Sequence, residues 1–472
     1  MSGIVQKNRN ELLIFIPAII TFFLVLIPTI KYSLPLGSET FYHTVLIQFY
    51  AENGLSWGNN ILLSGQTVFS PLFDFFLLSV SKIFNISYLA AARGLQPVFA
   101  FLVVLSFSFT AYKFYNVWAG LLTGIFVMFS ALFYKIMLTT PETMFLILVP
   151  LIAYFYCSAL ESKNFKYALI SGILLGIGFL TQGISAALIF LVLTILTLIL
   201  LIIKKKPDFK VYGILMATSL LIAALWWLPF IINGSSMQGL TIPTYLSSII
   251  TINNYPESLG IIPLLFAFIG ALFFIKRGQI KDILLLVWLV TLTILSFIQF
   301  SGVPLGAEYV LMMAIFPLTV MAGVGVQCIR IDGDKRPIYA LTVLILIVGV
   351  YYGYGVAISA QPEYSVTQIE AAQWFKNHGD KNSTVITHNS TMDTLIFSIA
   401  NQTVPGIDNS LKLSEITKKS ELNIEKYLLG KYNREDIIKD NVGYVVVNKD
   451  ISTMPYSTLV YENKDYKIFE IN

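Results

Sequence analysis

A carboxylate and an imidazole stand four residues apart just beyond the first hydrophobic segment, at Glu39 and His43. Ser38, followed by the apolar residues Phe41 and Val45, predicts a helix on which Glu39 and His43 share one face. An ionisable pair at a membrane boundary indicates a functional site. The alternative is structural: Ser38 caps the helix, and Glu39 complements the positive end of its dipole.

Further acids open later hydrophobic segments. Glu142 follows Thr140 and Pro141, and Glu308 is followed by Tyr309. Glu142 also has a structural interpretation, in which Thr140 caps a helix, Pro141 takes its first position and Glu142 complements its dipole. The two roles are compatible, so we keep both acids as candidate site residues.

Two lysines lie close to the membrane on the same side as these acids. Lys31 and Lys135 are candidates for binding a lipid phosphate, although such lysines often only extend to the interface. Asp74 lies in an apolar stretch and needs a partner or exposure to water. Lys82 is two helical turns further on and is too far away to be an obvious partner.

Several kinds of site are excluded. The chain has three histidines, which excludes a multi-histidine metal site, and no P-loop, HExxH or dinucleotide motif is present. The net charge is +4, without a basic domain, so nucleic acid is not an expected partner. Cys157 and Cys328 fall in or beside apolar segments and predict no disulfide framework.

The composition indicates a polytopic α-helical membrane protein. The 472 residues are 56% hydrophobic and 12% charged, about half the charged fraction of a soluble protein. The first segment is too long for a signal-peptide core, so we expect it to remain as a helix. About eleven spans are predicted, near residues 12–30, 91–112, 117–135, 143–160, 167–182, 184–203, 211–232, 259–275, 282–300, 305–326 and 338–358.

Basic residues set the predicted orientation. Those before the first span place the N-terminus in the cytoplasm. The basic loops should lie on the same side, and they fall near residues 163–166, 204–210, 276–281 and 330–336. This works only if residues 69–86 do not cross the membrane, so we assign them to a first outer loop of about residues 31–90.

The composition changes sharply at the end of the last span. Residues 1–360 form the predicted membrane domain, and residues 361–472 a small α/β domain, which the odd number of spans places outside the cytoplasm. Residues 365–368 have the spacing of a capping box. The predicted strands and the hairpin, made by the last two of them, lie at residues 384–388, 444–447, 458–461 and 466–471.

The order of these features resembles a known family. The features are the acid, aromatic and histidine after the first span, residues 65–72, 139–143 and 172–176, the pair Glu308-Tyr309, and residues 371–375. This order resembles the C-class (GT-C) glycosyltransferases, whose sugar donors are polyprenyl-phosphate or polyprenyl-diphosphate lipids. Within that superfamily it looks most like the oligosaccharyltransferase catalytic subunits and their archaeal and bacterial relatives.

The resemblance implies that Glu39 is the catalytic acid of the first outer loop and that Glu142 belongs to the second acidic motif. The chain departs from the family pattern, which usually has Asp at Glu39, two acids in the second motif, and often Arg at Tyr309. The Trp-Trp-Asp-Tyr-Gly acceptor motif of oligosaccharyltransferases would fall near residues 387–391 and is absent from the sequence. A monosaccharide transferase of the same fold therefore fits better.

The predicted function is sugar transfer from a polyprenyl-(di)phosphate lipid to a glycan, lipid or protein acceptor outside the cytoplasm, with inversion. Glu39 would be the general base, and His43 would orient it or hold the phosphate. Glu39 and Glu142 would share a divalent cation, Mg²⁺ or Mn²⁺, and Lys31, Lys135, Glu308 and Tyr309 would bind the donor. The alternatives are a transporter or flippase of lipid-linked saccharides and a non-catalytic protein of this fold. Few ionisable residues lie near the middle of the predicted spans, which disfavours transport.

Overall fold

The computed structural model describes residues 11–53, 70–205, 207–232, 254–301, 306–329, 336–387, 390–404, 441–451, 454 and 456–471. A bundle of helices is followed by a small domain that contains a four-stranded sheet. The fold is therefore of the predicted class, a helical membrane protein with a C-terminal α/β domain.

The helices before residue 360 carry the hydrophobic segments. They are α1 (Ile16–Lys31), α2 (Glu39–Asn53), α3 (Leu72–Phe84), α4 (Tyr88–Phe114), α5 (Val117–Phe126), α6 (Phe133–Ile136), α7 (Pro141–Ser162), α8 (Phe165–Thr181), α9 (Gly183–Ile202), α10 (Phe209–Ile232), α11 (Tyr255–Leu259), α12 (Ile261–Arg277), α13 (Ile280–Ser296), α14 (Ala307–Cys328) and α15 (Arg336–Ser359).

Eight helical segments within the described ranges are long and apolar enough to span a membrane. Three predicted spans correspond instead to shorter helices. Helices α8 and α12 have 17 residues each. The predicted span 117–135 is divided, because α5 ends at Phe126, a 3-10 turn continues it only to Phe129, and the four-residue helix α6 follows separately.

Ser130 explains this division. Its hydroxyl accepts a hydrogen bond from the backbone N–H of Leu132 at 3.1 Å and donates one to the backbone carbonyl of Ser258. These bonds stabilise a turn where the hydrophobic pattern predicts continuous helix. Lys135 consequently lies on a short helix at the end of the bundle.

Helix α3 is the segment that we assigned to the first outer loop. It has 13 residues, which corresponds to a length of roughly 20 Å, against roughly 30 Å for the hydrocarbon core of a bilayer. The helix is therefore too short to cross by itself.

Close helix packing in the bundle depends on glycine. A Cβ atom added at Gly325 of α14 would overlap the backbone carbonyl oxygen of Phe266 in α12, and one added at Gly270 would overlap that of Met321. The two backbones therefore cross at a distance that a larger residue does not permit, as is typical of small residues at membrane helix interfaces.

The C-terminal domain contains helices α16 (Val366–His378) and α17 (Ser390–Ala400) and strands β1 (Thr384–Thr387), β2 (Val442–Asn448), β3 (Ser457–Glu462) and β4 (Tyr466–Ile471). The strand order is β1-β2-β4-β3, with β1 and β2 parallel and the other pairs antiparallel. The capping box at Ser365 and Gln368 and the β3–β4 hairpin are confirmed.

Some sequence predictions lie wholly or partly outside the described residues. They concern the motif at residues 65–72 and His388 at the predicted end of the first strand. They remain predictions.

We expect Gly325→Ala to destabilise the bundle. The added methyl group must push α12 and α14 apart, and such overpacking costs about 1–3 kcal/mol. The measurement is the unfolding temperature of the detergent-purified protein.

Gly355→Ala is the matched control, because an added Cβ at this exposed position of α15 meets no atom within 4 Å. It should keep or raise the unfolding temperature, since Ala favours a helix over Gly. Equal unfolding temperatures for the two variants would contradict the close crossing.

Candidate active site

A cavity of about 320 Å³ lies where the bundle meets the C-terminal domain. Acidic side chains dominate its lining, which distinguishes it from an ordinary apolar ligand pocket. The described residues that line it are Ser38, Glu39, Lys135, Leu138, Thr140, Glu142, Glu308, Tyr309, Met312 and Glu363. Five of the seven residues proposed from sequence therefore meet in one cavity.

Helix α2 positions Glu39, its first residue, and is buried on several sides. Phe41 and Val45 belong to the hydrophobic core of the C-terminal domain. Tyr42 and Leu46 belong to a different cluster, which includes residues of α3 and α4. A helix with apolar residues all round is stable only when protein or lipid covers it on all sides. The location of Glu39 is thus fixed by packing along the helix that follows it.

Glu142 is held at the start of α7. Thr140 caps this helix by accepting a hydrogen bond from the N–H of Thr143, and Pro141 takes its first position, as predicted. The side-chain amide of Gln182 donates a hydrogen bond to Oε1 of Glu142. The other oxygen, Oε2, is buried without a hydrogen-bond partner in the described part of the chain. One carboxylate oxygen is fixed, and the other remains available for a ligand.

Hydrogen bonds also hold the turn that carries Gln182 in place. Ser70 donates a hydrogen bond to the backbone carbonyl of Phe179 at 2.9 Å, and the indole N–H of Trp227 donates to the same oxygen at 3.2 Å. Gly183 N–H donates to Ser70 Oγ at 3.2 Å. Gln182 was not singled out from sequence, because a lone Gln at a predicted turn carries no signal for this contact.

His43 pairs with Asp74 of α3. The distance from His43 Nδ1 to Asp74 Oδ1 is 2.7 Å, and the two side chains are 1% and 0% exposed. This contact supplies the partner that Asp74 needed. Burial by itself lowers the pKa of His43, but the charge of Asp74 and the hydrogen bond to it outweigh that effect and raise the pKa. His43 is not among the described residues that line the cavity.

Lys135 lies between two acids. Its Nζ is 3.1 Å from Oε1 of Glu363 and 3.5 Å from Oε2 of Glu308. Lys31 is not among the described residues lining the cavity, and its Nζ lies 4.9 Å from the centre of the Tyr32 ring. The two lysines that sequence grouped together are therefore separated in the structure.

Glu363 is the site residue that sequence reasoning missed. It follows α15 and precedes the capping box of α16, where an isolated acid matches no motif. Only its contacts with Lys135 and with Ser38 identify it, and the latter span 325 residues of sequence.

The electrostatics of the cavity centre on Glu39. Burial raises its pKa from the ordinary value of 4.5 to about 8, and the nearby Glu142 adds to this effect. The positive charges of His43 and Lys135 act in the opposite direction. A buried acid with a strongly shifted pKa in a cavity is typical of a functional site.

Glu39 and Glu142 fit a hard divalent cation of the Mg²⁺ type, which proteins often bind through one or two carboxylates while water and phosphate supply the other ligands. The buried Oε2 atom of Glu142 and the mutual repulsion of the two acids support this fit. No group of three or more His, Cys, Asp or Glu side chains with metal-binding geometry occurs among the described residues. A cation here would therefore depend on non-protein ligands.

Comparison with known proteins identifies the fold. A family model described as dolichyl-phosphate-mannose-protein mannosyltransferase matches residues 69–227, about a third of the chain. No curated protein sequence matches the chain.

Among solved structures, the Archaeoglobus fulgidus oligosaccharyltransferase AglB in complex with an inhibitory peptide and a dolichol-phosphate matches with a TM-score of 0.68 and 13% identity, over 94% of this chain and 70% of that protein. The same enzyme in complex with Zn and sulfate matches with a TM-score of 0.67 and 15% identity, over 92% and 68%. ArnT from Cupriavidus metallidurans bound to undecaprenyl phosphate matches with a TM-score of 0.65 and 12% identity, over 97% of both chains. These proteins are GT-C glycosyltransferases, and this chain has their fold.

The shifted pKa of Glu39 predicts a pH-dependent stability. The unfolded chain releases this proton near pH 4.5, whereas the folded protein holds it up to about pH 8. The contribution of Glu39 to stability is therefore complete below pH 4.5 and is lost as the pH rises to about 8. Glu39→Gln, which stays neutral, should differ least from the wild type in unfolding temperature near pH 5, and should exceed it by an increasing margin as the pH rises to 8.5.

The measurement is the unfolding temperature from pH 5 to pH 9 with a chelator present, so that no cation competes for the carboxylate. Asp393, a buried acid of the C-terminal domain whose pKa is raised to about 7, remains in both proteins and cancels in the difference. Glu161→Gln, at an exposed acid, is the control and should follow the wild type. A difference between Glu39→Gln and wild type that does not change with pH would contradict the assignment.

Proposed function

We propose that this chain, which has the GT-C fold, is a membrane glycosyltransferase that moves a sugar from a polyprenyl-phosphate donor to an acceptor hydroxyl. The observation that carries the proposal is the meeting of Glu39 and Glu142, from two helices far apart in sequence, in one acidic cavity. Two of the matched structures contain dolichol-phosphate or undecaprenyl phosphate, which supports a lipid phosphate as the carrier of the sugar.

In the proposed reaction Glu39 is the general base. It accepts the proton of the acceptor hydroxyl while the oxygen of that hydroxyl attacks the anomeric carbon. The bond between the anomeric carbon and the donor phosphate oxygen breaks, and its electron pair leaves with the polyprenyl phosphate. One displacement from the side opposite the phosphate inverts the anomeric centre.

Glu39 must be ionised to act as a base, and two neighbours favour that form. His43 and Lys135 both lower the pKa of Glu39. His43 is held by Asp74 behind the cavity lining, so we assign it to electrostatic support of Glu39 rather than to phosphate binding. Of the two roles that the sequence left open for His43, orienting Glu39 or holding the phosphate, this proposal is closer to the first.

The donor phosphate is assigned to the side of the cavity where Lys135, Glu308 and Tyr309 lie. Lys135 is the one cation among the described lining residues. A Mg²⁺ or Mn²⁺ ion held by Glu39 and Glu142 would supply electrostatic stabilisation to the leaving phosphate. One matched structure is a complex with Zn and sulfate, which supports cation and anion binding in this fold.

The site is proposed to face the side opposite the cytoplasm. The basic loops between the predicted spans favour a cytoplasmic N-terminus. Residues 361–472 then lie outside as a separate domain, and the acceptor is a glycan, lipid or protein of that compartment. The proposed location is a cell membrane, with the chain crossing it several times.

The function is tested at Glu39. We expect Glu39→Gln to fold normally and to lower sugar transfer by about 10²–10⁴, because the amide cannot accept the proton. Glu142→Gln should lower transfer less, and excess Mg²⁺ or Mn²⁺ should partly restore it. The measurement is the release of label from a panel of radiolabelled polyprenyl-phosphate monosaccharides, with membranes of an expressing host as the acceptor source.

Glu161→Gln serves as the matched control and should transfer sugar at the wild-type rate, because this acid is exposed and distant in sequence from every residue lining the cavity. A stable Glu39→Gln protein with near wild-type turnover would remove Glu39 from the mechanism. Movement of the labelled lipid across the bilayer without sugar release would favour the transporter instead.

The orientation is tested by labelling in whole cells. With Cys328 replaced by Ser, Lys464→Cys in the exposed turn of the β3–β4 hairpin should react with a membrane-impermeant maleimide in intact cells. Ser162→Cys, at the exposed C-terminal end of α7, should react only after lysis. The reverse pattern would overturn the orientation and the outward-facing site.

A further inference from the structure

The segment between the last membrane helix and the C-terminal domain runs along the rim of the cavity. Helix α15 ends at Ser359 and α16 begins at Val366. Within this segment Glu363 contacts the loop that leads into α2. Its backbone N–H donates a hydrogen bond to the carbonyl of Leu36 at 2.9 Å. Its Oε2 atom accepts hydrogen bonds from both the backbone N–H and the hydroxyl of Ser38, each at 3.0 Å.

These bonds end one residue before the proposed base. Ser38 precedes Glu39, and the first turn of α2 is closed by a hydrogen bond from Phe41 N–H to the Ser38 carbonyl at 3.1 Å. The sequence left open whether Ser38 caps α2, and in the structure its hydroxyl donates a hydrogen bond to Glu363. The backbone position of Ser38, and with it the start of α2, is therefore held by a carboxylate from the other end of the chain.

The next residue of the segment acts on the same helix. The ring of Tyr364 packs edge-on against Phe41, with ring centres 5.2 Å apart. Ser398 of α17 donates a hydrogen bond to the carbonyl of Phe41 at 3.1 Å. The C-terminal domain therefore holds the first turn of α2 through polar and apolar contacts at neighbouring residues.

Glu363 differs from an ordinary surface ion pair. An exposed pair is worth little, because water screens it and its side chains lose freedom. The side chain of Glu363 is 28% exposed although the residue as a whole lies at the surface, and its carboxylate accepts a charge-assisted hydrogen bond from a backbone N–H, which is among the stronger kinds. Its Oε1 atom also pairs with Lys135 at 3.1 Å, so one side chain links Ser38 to the cation of the cavity.

We propose that Glu363 is a positioning residue that places Glu39 for catalysis, so that docking of the C-terminal domain completes the active site. This inference rests on the proposed function. Glu363 acts through Ser38 and leaves the chemistry to Glu39. A displacement of about 1 Å at a reacting group can cost about 100-fold in rate, so loss of this contact should slow turnover without abolishing donor binding.

The variants separate the hydrogen bonds to Ser38 from the charge near Lys135. Glu363→Ala removes both. Glu363→Gln keeps an acceptor for Ser38 but removes the charge. Ser38→Ala removes only the hydrogen bond that the Ser38 hydroxyl donates, and so tests the same contact by a change in Ser38 instead of Glu363. Ser398→Ala is the matched control, because it removes a hydrogen bond from the C-terminal domain to α2 that does not reach Ser38.

The first readout is amide hydrogen exchange at residues 38–41 in the full-length protein, which requires no activity. Glu363→Ala should speed exchange there by at least about 10-fold, since the N–H of Ser38 loses its acceptor. Ser38→Ala should give a smaller increase, and at the N–H of residue 38 itself Glu363→Gln and Ser398→Ala should match the wild type. Unchanged exchange in Glu363→Ala would overturn the proposal.

The second readout is the split between kcat and the KM of the donor. Glu363→Ala should lower kcat by about 10–100-fold and change KM by less than about threefold, and Glu363→Gln should recover most of kcat. A lower KM with unchanged kcat in both Glu363 variants would overturn the proposal, because the carboxylate would then compete with the donor phosphate for Lys135. If the wild type transfers no sugar, the proposed function fails, while the exchange measurement still decides whether Glu363 holds the start of α2.

Discussion

The burial of helix α2 is the constraint on which the structure of the site depends. Its apolar side chains are divided between two cores, that of the C-terminal domain and that of the cluster with α3 and α4. Neither core alone covers the helix. The helix begins at the residue proposed as the base. The packing that stabilises the junction between the two parts of the protein therefore also fixes the position of that base.

The same burial explains the distribution of charge around the cavity. Acids that are buried away from water need partners, and the chain supplies three kinds of partner. Asp74 has an imidazole, Glu142 has the amide of Gln182, and Glu308 and Glu363 share one ammonium group. Burial raises the pKa of Glu39 to about 8, so a cation bound beside it would favour its ionised form. The other acids are therefore held by partners, whereas Glu39 is the group of the cavity whose change of charge the proposed function requires.

The sequence predicted the membrane class, the C-terminal α/β domain and three of the four acids among the described residues of the cavity, because each has a local pattern: apolar runs, alternating strands, and acids at helix starts. Prediction from sequence failed where the structure depends on contacts between residues that are far apart in the chain. The predicted span 117–135 was wrong in length because Ser130 finds partners in a turn that hydropathy does not record. Asp74 and Glu363 were not assigned to the site because their partners lie 31 and 325 residues away in the chain. Lys31 and Lys135 look alike in sequence and separate only once the helices are packed.

The distance in sequence between Ser38 and Glu363 has a consequence for biosynthesis. A ribosome adds about 5–20 residues per second, so the 325 residues between them take roughly 15–65 s to make. During that time the membrane helices can insert, but one apolar side of α2 has no protein to cover it. The nascent chain therefore carries an unfinished site until Glu363 and helix α17 have been made. A product that stops before them but reaches the membrane lacks the contacts that hold the start of α2.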